Sequence, residues 1–140
     1  MKLSNNKIKH AHAVAEWMYL HAHEYNLDPE RMYVLGLLHD IGYLRGKTGH
    51  ANNGAEITSK IGLDHEMIYA IKNHGMDLRY LEVTPELLLL VRADLQIDYE
   101  GDFIGYEARI GGIKVRYGED SIQYKRVAGT YAYLKEKGEA

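Results

Sequence analysis

The sequence predicts a single all-α domain that spans residues 1–140. Apolar residues recur three and four positions apart over most of the chain, which is typical of amphipathic helices. No segment alternates apolar and polar residues for long enough to predict a strand, and no repeat or proline- and serine-rich linker divides the chain. A chain of this length can bury roughly 68% of its unfolded surface, which is enough for one sizeable core.

Two helices are predicted in the first third of the chain. The first covers residues 6–25. Ile8, Ala11, Ala15, Met18 and Ala22 recur along it at helical spacing, so we expect it to be largely buried. Asp28 followed by Pro29 predicts the start of the second helix. An Asp side chain accepts hydrogen bonds from the free backbone N–H groups of the first turn, and proline fits the first helical position. We expect this helix to end near residues 41–42.

The middle of the chain contains several glycines and then three more predicted helices. Residues 42–53 are expected to form a loop or a broken helical segment. A short helix follows over residues 54–61, and Asp64 caps the next one. The Thr-Pro pair at residues 84–85 starts a further helix that reaches Asp94.

Two helices are predicted in a C-terminal extension of about residues 101–138, outside a core of about residues 7–98. The second is capped by Asp120 or Ser121. Each has one apolar face, and a helix of about 15 residues is not stable alone in water. We therefore expect both to pack on the rest of the domain or on a second subunit, which leaves a homodimer open.

The composition excludes several classes of protein and site. The chain contains no cysteine, which rules out disulfides, thiolate nucleophiles and cysteine-ligated metals. A net charge of −3 provides no basic field for nucleic acid. The apolar run at residues 87–91 is too short to span a membrane, and the polar, basic residues 1–10 do not form a signal peptide. We expect a cytoplasmic protein without a membrane or nucleic-acid partner.

The segment Gly42-Tyr-Leu-Arg-Gly46-Lys47-Thr48 is similar to a phosphate-binding P-loop but does not satisfy its spacing. A P-loop needs four residues between its glycines, and only three occur here. The segment also follows a predicted helix rather than a strand. We therefore reject a P-loop at this position.

His39 and Asp40 are adjacent at the end of an apolar helix turn. Neighbouring helical residues are about 100° apart around the axis, so both side chains can lean toward one groove. Both are good ligands for a divalent transition metal. Alternatively, the pair is an ordinary helix end, with the histidine near the negative end of the helix dipole and the aspartate in solvent.

Three more polar residues interrupt apolar helix faces: His10, His74 and Asp94. A buried charge without a partner is costly, so several such groups in one core suggest a cation. His12 competes with His10 for this role, because His12 and Glu16 lie four residues apart on one helix face. We favour His10, which shares an apolar stripe with its neighbours.

In this order and context the residues resemble the HD-domain superfamily of metal-dependent phosphohydrolases. The matching stretches are Lys9-His10-x-x-x-Val14-Ala15, Gly36-Leu-Leu-His39-Asp40-Ile-Gly42 and Arg92-Ala93-Asp94. Two further stretches, His50-Ala-Asn-Asn-Gly54-Ala55 and Ala70-Ile71-x-x-His74, resemble a bacterial subgroup with two metals, which includes proteins that cleave dinucleoside polyphosphates.

The resemblance implies a dinuclear centre. It assigns the first metal to His10, His39, Asp40 and Asp94, and the second to Asp40, His50 and His74. Asp40 would bridge the two ions and is the expected catalytic residue. Imidazole and carboxylate ligands suit Fe, Mn, Zn, Ni, Co or Mg. The implied reaction is hydrolysis of a phosphate ester or anhydride of a small molecule, such as a nucleotide, by a metal-activated water. The alternative is a non-catalytic metal or nucleotide sensor with the same fold.

The expected substrate-binding residues are basic side chains near the ligands. We favour Lys47, between Asp40 and His50, and add Arg45 and Arg79; Lys72 is also close in sequence. After Asp94 the chain lacks the Glu-Pro pair and arginine of the dinucleotide-cleaving proteins. The resemblance therefore leaves the substrate open.

Overall fold

A computed structural model describes residues 2–140 of the chain and confirms the predicted all-α fold. The described residues form seven α-helices and no strand. The helices are α1 (Asn5–His21), α2 (Pro29–Leu38), α3 (His50–Lys60), α4 (His65–Asn73), α5 (Pro85–Asp94), α6 (Tyr106–Tyr117) and α7 (Ile122–Glu136). Short 3₁₀ helices cover Ala22–Tyr25, Ile41–Arg45 and Leu78–Tyr80. Met1, the first residue of the predicted domain, lies outside the described residues, and the domain boundaries stay a prediction.

Side-chain caps fix where most of the helices begin. In each case a side-chain oxygen accepts a hydrogen bond from a free backbone N–H of the first turn. The capping residues are Ser4 for α1, Asp28 for α2, Asp64 for α4, Thr84 for α5 and Ser121 for α7. Of the two residues expected to cap α7, Ser121 is therefore the one that does so.

The structure corrects three predicted boundaries. The first helix changes to a 3₁₀ turn after His21 and ends at Asn26, whose φ of 56° is left-handed. The second helix ends at Leu38, and Ile41–Arg45 forms a separate 3₁₀ turn. The third helix begins at residue 50 rather than 54.

The early start of α3 follows from close backbone packing. A Cβ atom added to Gly42 would lie 1.7 Å from the carbonyl oxygen of His50 and 2.7 Å from the backbone nitrogen of Gly54. The 3₁₀ turn therefore lies directly against the first turn of α3. The glycines of this region were expected to form a loop. Gly42 and Gly54 instead allow the backbone of the 3₁₀ turn to contact that of α3, which brings the segment after Asp40 next to His50.

The core lies between α1, α2, α4 and α5. Helices α1 and α2 approach so closely that a Cβ on Gly36 would lie 2.7 Å from the Cα of Ala15. The largest fully buried apolar side chains here include Met18, Met32, Leu35, Ile71, Leu87 and Leu90. This packing fixes the relative positions of the helix ends that carry the polar residues.

The C-terminal helices complete the core from one side. Leu134 of α7 is fully buried in the same apolar cluster. The hydroxyl of Thr130 accepts a hydrogen bond from the backbone of Leu78 at 3.1 Å and donates to the carbonyl of Met76 at 3.3 Å. The segment therefore packs on the core of its own chain. Among residues 2–140, no helix is both long and apolar enough to cross a bilayer.

Candidate metal centre

Five helices direct polar side chains toward one point. Two of the histidines are the residues that terminate α2 and α4, and another is the first residue of α3. Asp94 is the last residue of α5, and Asp40 lies between the C-cap of α2 and the 3₁₀ turn that begins at Ile41. The six side chains brought together are His10, His39, Asp40, His50, His74 and Asp94. All six were selected as metal ligands from the sequence, and their role as ligands stays a prediction.

Backbone carbonyls hold three of the histidine rings. In each ring Nδ1 lies 2.6–2.8 Å from a carbonyl oxygen, which can only accept, so Nδ1 carries the proton and donates it. In the neutral ring, the lone pair of Nε2 is then free to face the centre. The pairs are His10 with Asp98, His39 with Gly36 and His74 with Ile71. Such hydrogen bonds orient metal-binding histidines and raise their basicity.

The two carboxylate oxygens of Asp40 face different histidines. Oδ2 lies 3.3 Å from Nε2 of His39 and 3.9 Å from Nε2 of His10. Oδ1 lies 3.4 Å from Nε2 of His74 and 3.7 Å from Nε2 of His50. One carboxylate therefore stands between two sets of nitrogen atoms.

Asp94 faces only one of these sets. Its Oδ1 lies 2.7 Å from Nε2 of His10 and 3.5 Å from Nε2 of His39. Because Nδ1 of His10 already donates to the carbonyl of Asp98, a hydrogen bond from its Nε2 to Asp94 requires a doubly protonated ring. A cation between the two atoms would satisfy the same lone pairs without that proton.

The donor set fits a divalent metal. Nε2 of His39 is completely buried and has no hydrogen-bond partner among residues 2–140. A buried nitrogen without a partner is costly in a folded protein, and a metal ion would satisfy it. Donor atoms lie within 4.8 Å of one another in two groups within the described chain. The groups are His10, His39 and Asp94, and His39, Asp40 and His74.

Electrostatics keep the carboxylates ionised without a metal. Burial alone would raise the pKa values of Asp40 and Asp94, but contacts with His39 and the neighbouring histidines hold both well below the ordinary value. Burial likewise lowers the pKa of His39, yet the two carboxylates outweigh it and raise that pKa well above 6.5. Burial and the charge of His74 lower the pKa of His50, which favours its neutral, metal-binding form.

Tyr43 and Lys7 border the centre, and neither was predicted from the sequence. The ring of Tyr43 stacks on that of His50, with centroids 4.3 Å apart and planes 10° apart. Nζ of Lys7 lies 3.6 Å from the centroid of Tyr43. Burial, followed by the charge of Asp40, raises the pKa of Tyr43 to about 12, so the phenol stays protonated. The position of Lys7 three residues before His10 was the one sequence signal that could have identified it.

The three basic residues expected to bind substrate are exposed. Arg45 pairs with Glu56 at 3.2 Å, and Arg79 pairs with Asp77 at 2.7 Å. Lys47 is exposed in the bend before α3. Within the described part of the chain, none of the three forms an ion pair with the carboxylates of the centre. Their binding of substrate stays a prediction.

The other histidines lie away from this cluster. His12 is exposed, and its Nδ1 faces the hydroxyl of Tyr33 at 3.4 Å. His21 pairs with Glu24 and stacks on Trp17. Of the two competing histidines on α1, His10 is therefore the one that faces the carboxylates.

Comparison with known proteins gives one match. A family model described as the HD domain matches residues 8–95, which include all six clustered side chains. Proteins of this family are generally metal-dependent hydrolases. No curated protein and no solved structure matches the chain.

Proposed function

The chain belongs to the HD-domain family, and on this premise we propose that it hydrolyses a phosphate ester or anhydride of a small molecule, with a nucleotide as the favoured class. The proposal includes a centre of two divalent ions, as in the two-metal subgroup that the sequence resembles. It rests on the donor set, because a shared fold alone does not define an activity.

The single observation that carries the proposal is the placement of Asp40. Its Oδ2 faces one pair of histidines and its Oδ1 faces another, which is the arrangement that a carboxylate shared between two ions requires. The first ion would be held by His10, His39, Asp40 and Asp94, and the second by Asp40, His50 and His74.

The chain's own residues prepare this site for divalent cations. Asp40 and Asp94 stay ionised at neutral pH because their pKa values are held low. The carbonyl tethers direct Nε2 of three histidines inward, so these ligands need little reorganisation. Bound divalent ions would supply a water of lowered pKa and stabilise charge on the attacking and leaving oxygens.

The test is elemental analysis of protein purified without chelator, followed by phosphate release from a panel of nucleotides. We expect about two ions per chain and release of phosphate from at least one nucleotide. Protein stripped of metal and then reloaded with manganese serves as the control and should lose and regain activity. Metal without turnover would favour the sensor, and absence of metal would assign the polar cluster a structural role.

A further inference from the structure

Lys7 lies on the same side of α1 as His10, a proposed metal ligand. It precedes His10 by three residues, and residues at this spacing are neighbours on a helix surface, about 4.5 Å apart along the axis. Its ammonium lies over Tyr43 in the 3₁₀ turn after Asp40. The cation therefore contacts the segment that leads from Asp40 to His50, while its own helix carries His10.

Tyr43 is held between two partners. An ammonium 3.6 Å above the ring and an imidazole stacked at 4.3 Å cannot occupy the same face, so Lys7 and His50 lie on opposite faces. The side chain of Lys7 is only partly exposed, and its position is maintained by a cation–π contact. This contact leaves the charge of the ammonium unneutralised.

Lys7, like Lys47, has no carboxylate partner among the described residues, but Lys7 is partly buried and lies against the ring that stacks on His50, whereas Lys47 is exposed. Several cations near the ligands are already paired with acidic side chains, as Arg45 is with Glu56 and Arg79 with Asp77. Between residues 2 and 140, no acidic side chain lies within ion-pair distance of Lys7. Its three N–H donors remain available for an anion.

We propose that Lys7 binds an oxygen of the substrate's phosphate group, next to the ligand cluster. This inference rests on the proposed function and adds a residue to it, in place of Lys47 as the principal phosphate-binding cation. A lysine suits this role because its ammonium is a compact charge on a flexible stem. Its charge lies one helical turn before His10 and beside the ring that stacks on His50.

The experiment measures binding of inorganic phosphate to manganese-loaded protein by isothermal titration calorimetry. The variants are Lys7→Met, Lys7→Arg and Lys47→Met, with Lys9→Met as the matched control from the same helix. We expect Lys7→Met to keep its metal content and to bind phosphate about 10- to 100-fold more weakly, as for loss of a charged hydrogen bond. Lys7→Arg should restore most of the affinity, and the other two variants should bind as the wild type does.

Three results would overturn the inference. Wild-type affinity in Lys7→Met would remove Lys7 from the substrate site and leave the proposed hydrolase intact. Loss of metal from Lys7→Met would show that the lysine supports the ligands instead of the phosphate. If the metal-loaded wild type binds no phosphate, both this inference and the proposed function fail.

Discussion

The two halves of the centre are built differently. The side chains of His10 and His39, beside Asp94, are 6% and 0% exposed, and a backbone carbonyl holds each ring. On the other side of Asp40, His50 has a side chain 28% exposed, and its ring rests on Tyr43. No carbonyl among the described residues accepts a hydrogen bond from that ring. The first half is therefore closed and rigid. In the second half His74 is also buried and held by the carbonyl of Ile71, and solvent reaches the site at His50.

This difference indicates which half binds an ion tightly and which half accepts the substrate. A rigid, buried set of ligands binds an ion tightly and exchanges it slowly, because its donors are already oriented. A partly exposed set accepts a substrate but contributes less binding energy for an ion. The following experiments test this division.

Asp40→Ala should have the largest effect, because its two oxygens belong to both halves. We expect loss of both ions and of detectable phosphate release. Elemental analysis and a phosphate assay measure the two properties. Asp120→Ala removes an exposed carboxylate and should change neither. Wild-type metal content in Asp40→Ala would disprove the shared position of Asp40.

Single-histidine variants should separate the halves. His10→Ala removes a ligand of the buried half, and His50→Ala removes one of the exposed half. Each should lower the metal content from about two ions to about one per chain, and the ion left in His50→Ala should be the slower to leave during dialysis against chelator. His12→Ala, on the exposed face of α1, is the control. Equal dissociation rates in the two variants would contradict the asymmetry.

Tyr43→Ala should weaken the exposed half alone. The ring supports His50 by stacking, and outer contacts of metal ligands contribute about 10- to 100-fold to affinity. We expect the weaker ion to lose affinity by that factor, measured by competition with a metal-binding dye, while the tighter ion is unaffected. Tyr43→Phe keeps the aromatic face and should behave as the wild type. A change in the tighter ion would mean that Tyr43 supports the whole centre.

Proton binding by the metal-free protein should differ between the halves. Burial lowers the pKa of His39, but Asp40 and Asp94 raise it well above 6.5, whereas burial and the charge of His74 lower the pKa of His50. The stability that His39 contributes is complete below pH 6.5 and is lost as the pH rises through its folded pKa. For His50 the unfolded state binds the proton more readily, so stability is lost as the pH falls below 6.5.

An NMR titration of the histidine ring protons in metal-free protein tests this difference. The His39 signal should shift above pH 6.5 and the His50 signal below it. Both transitions should disappear when Zn²⁺ is added, because the metal replaces the proton at Nε2. Zinc is used because it is diamagnetic. Coincident transitions would show that the halves share one electrostatic environment.

Ser121→Ala should have the smallest effect, and it should not change metal binding in either half of the centre. Its hydroxyl caps α7 by accepting a hydrogen bond from Tyr124, and loss of such a cap costs about 1 kcal/mol. We expect a lower melting temperature at unchanged metal content, measured by circular dichroism and elemental analysis. A loss of metal would show that the C-terminal helices help to hold the ligands in place.

Much of the fold was predictable because its signals are local. Caps such as Asp28 and Thr84 and the apolar spacing along α5 depend only on neighbouring residues. The start of α3 was missed because Gly42 is required by a contact with His50, eight residues away, and not by a turn. Long-range packing of this kind leaves no periodic pattern in the sequence.

Part of the cluster was predicted because polar residues on apolar faces are conspicuous, whereas His50 was implied only by the family resemblance. His10 and Asp94 interrupt such faces, and the structure places them 2.7 Å apart. The carbonyl of Asp98 and the ring of Tyr43 were not predicted, since a backbone acceptor has no sequence signal and an aromatic residue is usually part of the core. The two halves became distinguishable only when the exposure of His50 was known.

The tethers of His39 and His74 form a pattern that protein designers can reuse. Each histidine ends its helix, and its Nδ1 donates to the carbonyl three residues earlier, in the last turn of that helix. One side chain thus completes the helix terminus and presents an oriented nitrogen to its surroundings. A designed bundle could obtain a preorganised ligand at any helix end by this four-residue unit, without a supporting network built from distant parts of the chain.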